Sequence, residues 1–191
     1  MIIQMQRKHA REVGKLHHRY VPSLLTDLGE RMCVIFYETA LKSENNFGLV
    51  YVENSKVLGF NFGTTDNSRL FKHPRILFGI GISALKKPLI IKNLLYRLIH
   101  KFPTGPEPSY NAVDLKLRGK GIGKKLQVAQ LESFKKRGIT QVIGWIEEDN
   151  KANLALQQKL GAKIVDEFYQ NGKRTFILQM PTSLSKSRTK V

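Results

Sequence analysis

The chain is short of several things at once. It has one cysteine, fewer than half as many acids as bases, no apolar run of bilayer length and no histidines at metal-ligating spacing. A lone Cys33 forms no intramolecular disulfide, so the expectation is a reducing compartment and a cytoplasmic protein. Cys33 sits in the helical pattern "RMCVIFYETAL", where it reads as a small buried hydrophobe. The opening "MIIQMQRKHA" lacks a continuous apolar region of signal-peptide length. "ILFGIGISAL" is apolar, but "KKP" interrupts it before it reaches a spanning length. His17 and His18 are adjacent on a helix, which suits structural or surface roles, and no metal site is expected.

The shortage of acids has the widest consequence. Against 15 Asp and Glu stand 32 Lys and Arg, a formal net charge of +17 over 191 residues. Such a field attracts anions: nucleic acid, an acidic membrane surface and phosphorylated small molecules all fit it. For individual lysines, plain solubility is an equally good reading. The length suits one domain, or one domain with an added subdomain.

Along the chain, residues 1–7 read as a short first strand, and helical patterns follow at about 8–20 and 26–42. "FGLVYVENSKVLGFNFGTT" reads as a hairpin turning at "ENSK". A mainly helical region at about 69–101, broken by Pro74 and Pro88, leads into the link "PTGPEP". "SYNAVDL" is a strand candidate. "GIGKKLQVAQLESFKKRG" is a helix with Ile122, Leu126, Ala129 and Phe134 on one face, cations in its last turn and Gly138 as its cap. Then come the strand "TQVIGWI", the helix "NKANLALQQKLGA" and a hairpin across "QNGK". Strand–helix–strand–helix–hairpin is an α/β pattern. The expected organisation is one domain over 1–181, with 69–101 as a helical acceptor-side region, and a basic, disordered tail at 182–191.

One stretch carries chemistry. In "LRGKGIGKKL", Gly119, Gly121 and Gly123 permit unusual dihedrals and close backbone approach at the mouth of a helix. Unpaired helix N–H groups and the cations Arg118, Lys120, Lys124 and Lys125 make this a natural phosphate site. The bland alternative is a tight turn with solvated lysines. Two common nucleotide loops are excluded. Arg118 and Lys125 stand where the P-loop needs its first Gly and its Ser or Thr, and the spacing is GxGxG where a dinucleotide turn needs GxGxxG.

"VDLKLRGKGIGKKL" resembles the acyl-CoA-binding motif of the Gcn5-related N-acetyltransferases (GNAT), whose core is Arg/Gln-x-x-Gly-x-Gly/Ala. Arg118, Gly121 and Gly123 match that core, and Gly119, Lys120 and Ile122 match its commonest form. "NKANLALQQKLGA" is similar to the family's second motif, led by Asn150 and closed by Gly161. The resemblance covers about 107–180 closely, and "KVLGFNFG" looks like part of the family's second and third strands. It implies one α/β domain with a mixed, strongly twisted sheet of about six to seven strands flanked by helices, splayed between the fourth and fifth. It further implies acetyl-CoA as cofactor, with pantetheine pairing to the backbone near Asn111 and Val113. The pyrophosphate would lie on the amides of 119–123, with Leu115, Lys124, Asn150, Asn153 and Gln157 completing the cofactor-binding set.

The implied reaction is direct transfer of an acetyl group from the thioester to an amine, on a small molecule or an amino sugar. A protein acceptor, a non-enzymatic phosphate-backbone or nucleic-acid module, and a degenerate member binding CoA as a regulator are the alternatives. The expected partners are acetyl-CoA, an amine acceptor and, in a homodimer, a second copy. A specific nucleic acid and a transmembrane segment are not expected. The family's usual acid, a Tyr seven residues after the Asn, is here Gln157, which donates no proton of that kind. Where some relatives place a Glu in the fifth strand this chain has Trp145, and Glu147, two residues on, is the candidate catalytic base, working through water. Tyr110 and Tyr169 are candidates to approach the wedge, with core packing the plainer reading of both.

Overall fold

The computed structural model describes residues 1–86, 103–170 and 172–183. Residues 87–101 of the expected helical region, Asn171 in the "QNGK" turn and most of the basic tail lie outside the described residues.

Alternation of apolar residues in "FGLVYVE" and "KVLGFNF" produces strands β2 (Asn46–Glu53) and β3 (Lys56–Thr64). They are joined by a tight turn in which Asn54 and Ser55 both take positive φ, 49° and 60°, as a hairpin of this twist requires. β1 (Ile2–Gln4) pairs with β2, and β4 (Glu107–Val113) with β3, giving a four-stranded antiparallel sheet in the order β1-β2-β3-β4. A second antiparallel sheet runs β5-β7-β6, from β5 (Gln141–Glu147), β6 (Lys163–Gln170) and β7 (Lys173–Pro181). Among the described residues seven strands flanked by helices, parted between the fourth and fifth, give the architecture expected.

Helices α1 (Ala10–Tyr20) and α3 (Glu30–Ala40) cover one face of the first sheet. Val13, Leu16, Phe36 and Tyr37 there meet Phe60 and Phe62 of β3 in the larger core. The single helix expected at 26–42 is two. A short α2 (Leu24–Asp27), capped by Ser23, is followed by Gly29 at φ 99°, and α3 begins after it. That left-handed backbone interrupts the helix and favours glycine. Pro74 opens α4 (Pro74–Lys86) instead of breaking it; proline suits a first helical position, where its missing N–H would have no partner.

Helix α5 (Ile122–Lys136) bridges the two sheets. Its Phe134 packs on Phe47 of β2, with ring centroids 4.7 Å apart, and belongs to the core that includes Val142, Ile146 and Leu178 of the second sheet. Its buried stripe differs from the expected one: Gln127, Gln130 and Leu131 are buried with Ile122, Leu126 and Phe134, while Ala129 is only half-buried. Gly138 ends α5 as expected, at φ 75°. Its N–H reaches Lys135 O and that of Ile139 reaches Phe134 O, the double bond of a Schellman cap. The helix α6 (Lys151–Lys159) ends the same way at Gly161.

Candidate active site

The gap between β4 and β5 is closed at one end only. Among the described residues, the Ile143 N–H to Pro106 O bond (2.9 Å) joins the two edges. Backbone polar groups in a strand alternate sides, so single bonds fix which way each residue faces. Asp114 N–H bonds Leu58 O of β3 at 2.8 Å; Ala112 and Tyr110 therefore face β3, and Asn111 and Val113 turn their N–H and C=O into the gap. On the other side, Glu148 N–H bonds Arg174 O, so Trp145 and Glu147 lie on the gap side of β5, where the Glu147 carbonyl accepts from Asn150 N–H at 3.0 Å. Two strand edges thus face each other across the gap, and on the β4 side Asn111 and Val113 turn their backbone groups into it.

The glycine turn lies at the end of β4. Asp114 caps the single helical turn Leu115–Leu117, Arg118 is extended, and Gly119 and Gly121 take φ 79° and 74°. Gly121 is the N-cap of α5 and offers no side chain to its first turn, which leaves the Ile122 and Gly123 amides pointing outward. A Cβ placed at Gly119 or Gly121 would meet nothing within 4 Å; dihedral angle, not crowding, demands glycine there, and the space beside the amides is open. Lys120 N–H makes a long bond of 3.4 Å to Leu117 O. Leu115 is 57% exposed, and Arg118 lies over the Tyr20 ring, 5.6 Å from its centroid. Lys124 is half-buried in the first turn of α5.

Beyond the turn, a small pocket is lined by Pro108, Asn111, Gln127, Gln130, Gln157 and Met180, with Leu131 behind them. It is rich in amides. Asn153 Oδ1 accepts from Gln127 Nε2 at 3.1 Å and from Gln157 Nε2 at 3.4 Å. Gln130 Oε1 accepts from Asn61 Nδ2 at 3.0 Å. Asn150 caps α6 through its side chain, which accepts from Asn153 N–H. After these bonds Gln127 Oε1, Gln157 Oε1 and Gln130 Nε2 remain buried without a partner among the described residues. Each such orphan costs about 1–3 kcal/mol unless something else satisfies it. A ligand carrying amides, as pantetheine does, fits both this lining and the open edges at Asn111 and Val113.

Glu147 is not among the residues lining that pocket. It ends β5, and its carboxylate accepts from Lys173 Nζ at 2.8 Å; the same ammonium holds Asp149 at 2.9 Å. Those two carboxylates, Glu147 first, raise the Lys173 pKa above the usual lysine range. Tyr110 packs into the core against His17 and Phe36, and Tyr169 is 60% exposed on β6.

Sequence reasoning missed two features. One is the buried amide set: Gln127 and Gln130 lie outside the apolar face expected for this helix, and nothing local signals that Asn61 donates to Gln130. The other is the partner set of His17, which takes the structural one of its two expected roles: it is fully buried, with Nδ1 2.6 Å from the Tyr37 hydroxyl and Nε2 2.7 Å from Ser23 Oγ. Burial first, then the charge of His18, pushes its pKa down to about 3.

The same architecture recurs in solved acetyltransferases. An N-acetyltransferase from Staphylococcus aureus Mu50 superposes with a TM-score of 0.63 at 16% identity, over 96% of this chain and 98% of that one. The structure of yncA from Salmonella typhimurium with its cofactor acetyl-CoA gives 0.64 at 14% identity, over 97% and 95%. The ribosomal-protein-S18-alanine N-acetyltransferase from Escherichia coli gives 0.62 at 14% identity, over 100% and 97%. Among curated proteins, a mycothiol acetyltransferase from Saccharomonospora viridis is 41% identical over 54 residues, which is 28% of this chain and 18% of that protein. No protein-family model matches the chain. The chain has the GNAT fold.

Proposed function

We propose that a protein with this fold, glycine turn and gap is an acetyl-CoA-dependent N-acetyltransferase acting on a small amine or an amino-sugar-like acceptor. The observation that carries it is one continuous surface. The outward amides at the start of α5 lead into the gap where Asn111 and Val113 offer free backbone groups, and the gap leads to the amide-lined pocket. Phosphate suits the first part, an amide-bearing arm the second. Acetyl-CoA supplies the activated thioester; the chain's residues bind it and handle protons.

In this reading Arg118, Lys120 and Lys124 supply charge around the phosphates, and Gly119, Gly121, Ile122 and Gly123 supply the turn. Gln157 Oε1 and Gln127 Oε1 accept from the arm. Gln157 would orient the sulfur end of the arm without supplying a proton, and protonation of the thiolate would fall to water or another side chain. Glu147 serves as base for the incoming ammonium through water, with Lys173 fixing its carboxylate.

The test is a melting curve with and without acetyl-CoA, followed by thiol release over a panel of amines, amino sugars and peptides. A ligand binding only the folded chain raises the melting temperature by mass action, and Gly121→Asp should abolish the rise by placing a carboxylate where phosphate belongs. No shift at millimolar acetyl-CoA would sink the proposal.

A further inference from the structure

The excursion between β3 and β4 is built unlike the rest of the chain. From Asn67 to Pro106 the sequence holds eight lysines and arginines and no aspartate or glutamate. Its described helix, α4, is apolar on both sides. One side is closed: Ile76 and Ile80 are 1% and 7% exposed, and Gly79 lies against Met32 of α3. The other is open: Leu77, Phe78 and Ile82 are 52%, 72% and 43% exposed, and a Cβ at Gly81 would touch nothing within 4 Å. Arg75, Phe78 and Ile82 follow at i, i+3 and i+7, one stripe with a cation at its start. Lys72 and Arg75 are both exposed. No described helix is long and apolar enough to cross a membrane.

We infer that this face of α4 docks in the plane of an anionic phospholipid surface, Leu77, Phe78 and Ile82 entering the headgroup boundary and the exposed Lys72 and Arg75 meeting lipid phosphate. A helix apolar all round is either enclosed or in contact with lipid, and α4 is enclosed on one side only. Aliphatic and Phe side chains beside cations are the composition of interfacial helices. The charge also selects between occupants. A second copy on this face would bring two acid-free, cationic segments together within a pair of +17 chains, whereas an anionic bilayer complements both the apolar and the charged component.

The test is flotation of the full chain with vesicles of equimolar phosphatidylglycerol and phosphatidylcholine, against phosphatidylcholine alone, at about 0.1 M salt where screening acts beyond ~10 Å. The chain should float with the anionic vesicles and stay behind with the neutral ones. Phe78→Glu should lower the partition at least about ten-fold, with melting temperature and the acetyl-CoA shift unchanged. Ile82→Ser is the milder variant should Phe78→Glu fold poorly. Several results overturn the inference. Absence of flotation does, and so does flotation by both variants equal to that of the parent, which would make it an effect of net charge alone. A dimer in sedimentation that Phe78→Glu dissolves would give the face to a second copy. A melting temperature several degrees lower in both variants would show the face covered by the chain's own residues.

Discussion

The Arg118 guanidinium stacks on the Tyr20 ring, 5.6 Å from its centroid, so the last turn of α1 touches the glycine turn directly. The Tyr20 hydroxyl lies 3.5 Å from Asp114 Oδ2, the carboxylate that caps the turn just before Arg118. Tyr20 therefore props both ends of the turn. A cation–π contact of about 0.5–1 kcal/mol corresponds to a factor of about two to five. Tyr20→Ala should raise the KM for acetyl-CoA by that factor with kcat little changed, and Tyr20→Phe should keep most of the parent value. Steady-state kinetics on both variants checks it; equal KM values in Tyr20→Ala and the parent would remove the propping role.

Gln157 and Glu147 should separate by size of effect. Gln157→Ala removes one neutral hydrogen bond worth about 1 kcal/mol and should lower kcat roughly ten-fold or less. Glu147→Gln should cost roughly a hundred- to ten-thousand-fold, the range of a lost general base, and its deficit should shrink at high pH as the acceptor amine becomes neutral unaided. Turnover against pH for both variants decides. A thousand-fold loss at Gln157 beside an intact Glu147→Gln would reverse the two roles.

His17 predicts acid sensitivity. Its folded pKa is depressed to about 3 from the ordinary 6.5, so the unfolded chain takes up a proton that the folded one refuses. Its contribution to stability is complete above 6.5 and is lost as pH falls from there towards 3, at up to about 1.4 kcal/mol per pH unit. His17→Gln should be less stable than the parent at pH 7.5, and the difference should narrow by about 2 kcal/mol at pH 5. Urea unfolding at the two pH values measures this; a constant difference would show that His17 does not carry the titration.

Gly14 sets the approach of α1 to α3. A Cβ there would lie 2.6 Å from Val34 Cγ2 and 2.8 Å from both Val34 N and Cα. Backbone cannot give way as a flexible side chain can. Gly14→Ala should therefore destabilise by about 1–3 kcal/mol, outweighing the roughly 1 kcal/mol that alanine gains in a helix. The urea midpoint checks it, and a stabilised variant would mean that the helices separate freely.

The glycine turn, the two hairpins and the helix caps were legible because each depends on residues adjacent in sequence: Gly121 before Ile122, Asn54 and Ser55 between β2 and β3, Gly138 after three cations. The break at Gly29 was not, because the apolar period continues through it and only the backbone dihedral shows the stop. Gln127 and Gln130 misled for the opposite reason. Polar residues on a helix read as its wet side, and what turns these inward is Asn61 and Asn153, 69 residues away from Gln130 and 26 from Gln127. Glu147 was legible as a strand-end acid, but its ion pair with Lys173 depends on β5 lying beside β7.

Asn67 accepts from Gly105 N–H at 3.0 Å through its side chain, donates to Glu107 Oε2 at 2.7 Å and bonds Gly105 O at 3.1 Å through its backbone. The two ends of the segment from 68 to 104 are thus buckled at one residue, and whatever lies between them leaves and re-enters the sheet at a fixed point. Doubling the length of a loop so anchored costs only about 0.6 kcal/mol in closure entropy. That divides the segment's tasks: Leu70, Ile76 and Ile80 fill the core and cannot be cut away without opening it, whereas added length loads only the buckle, and the register of β3 against β4, with the edge at Asn111 and Val113, is held there.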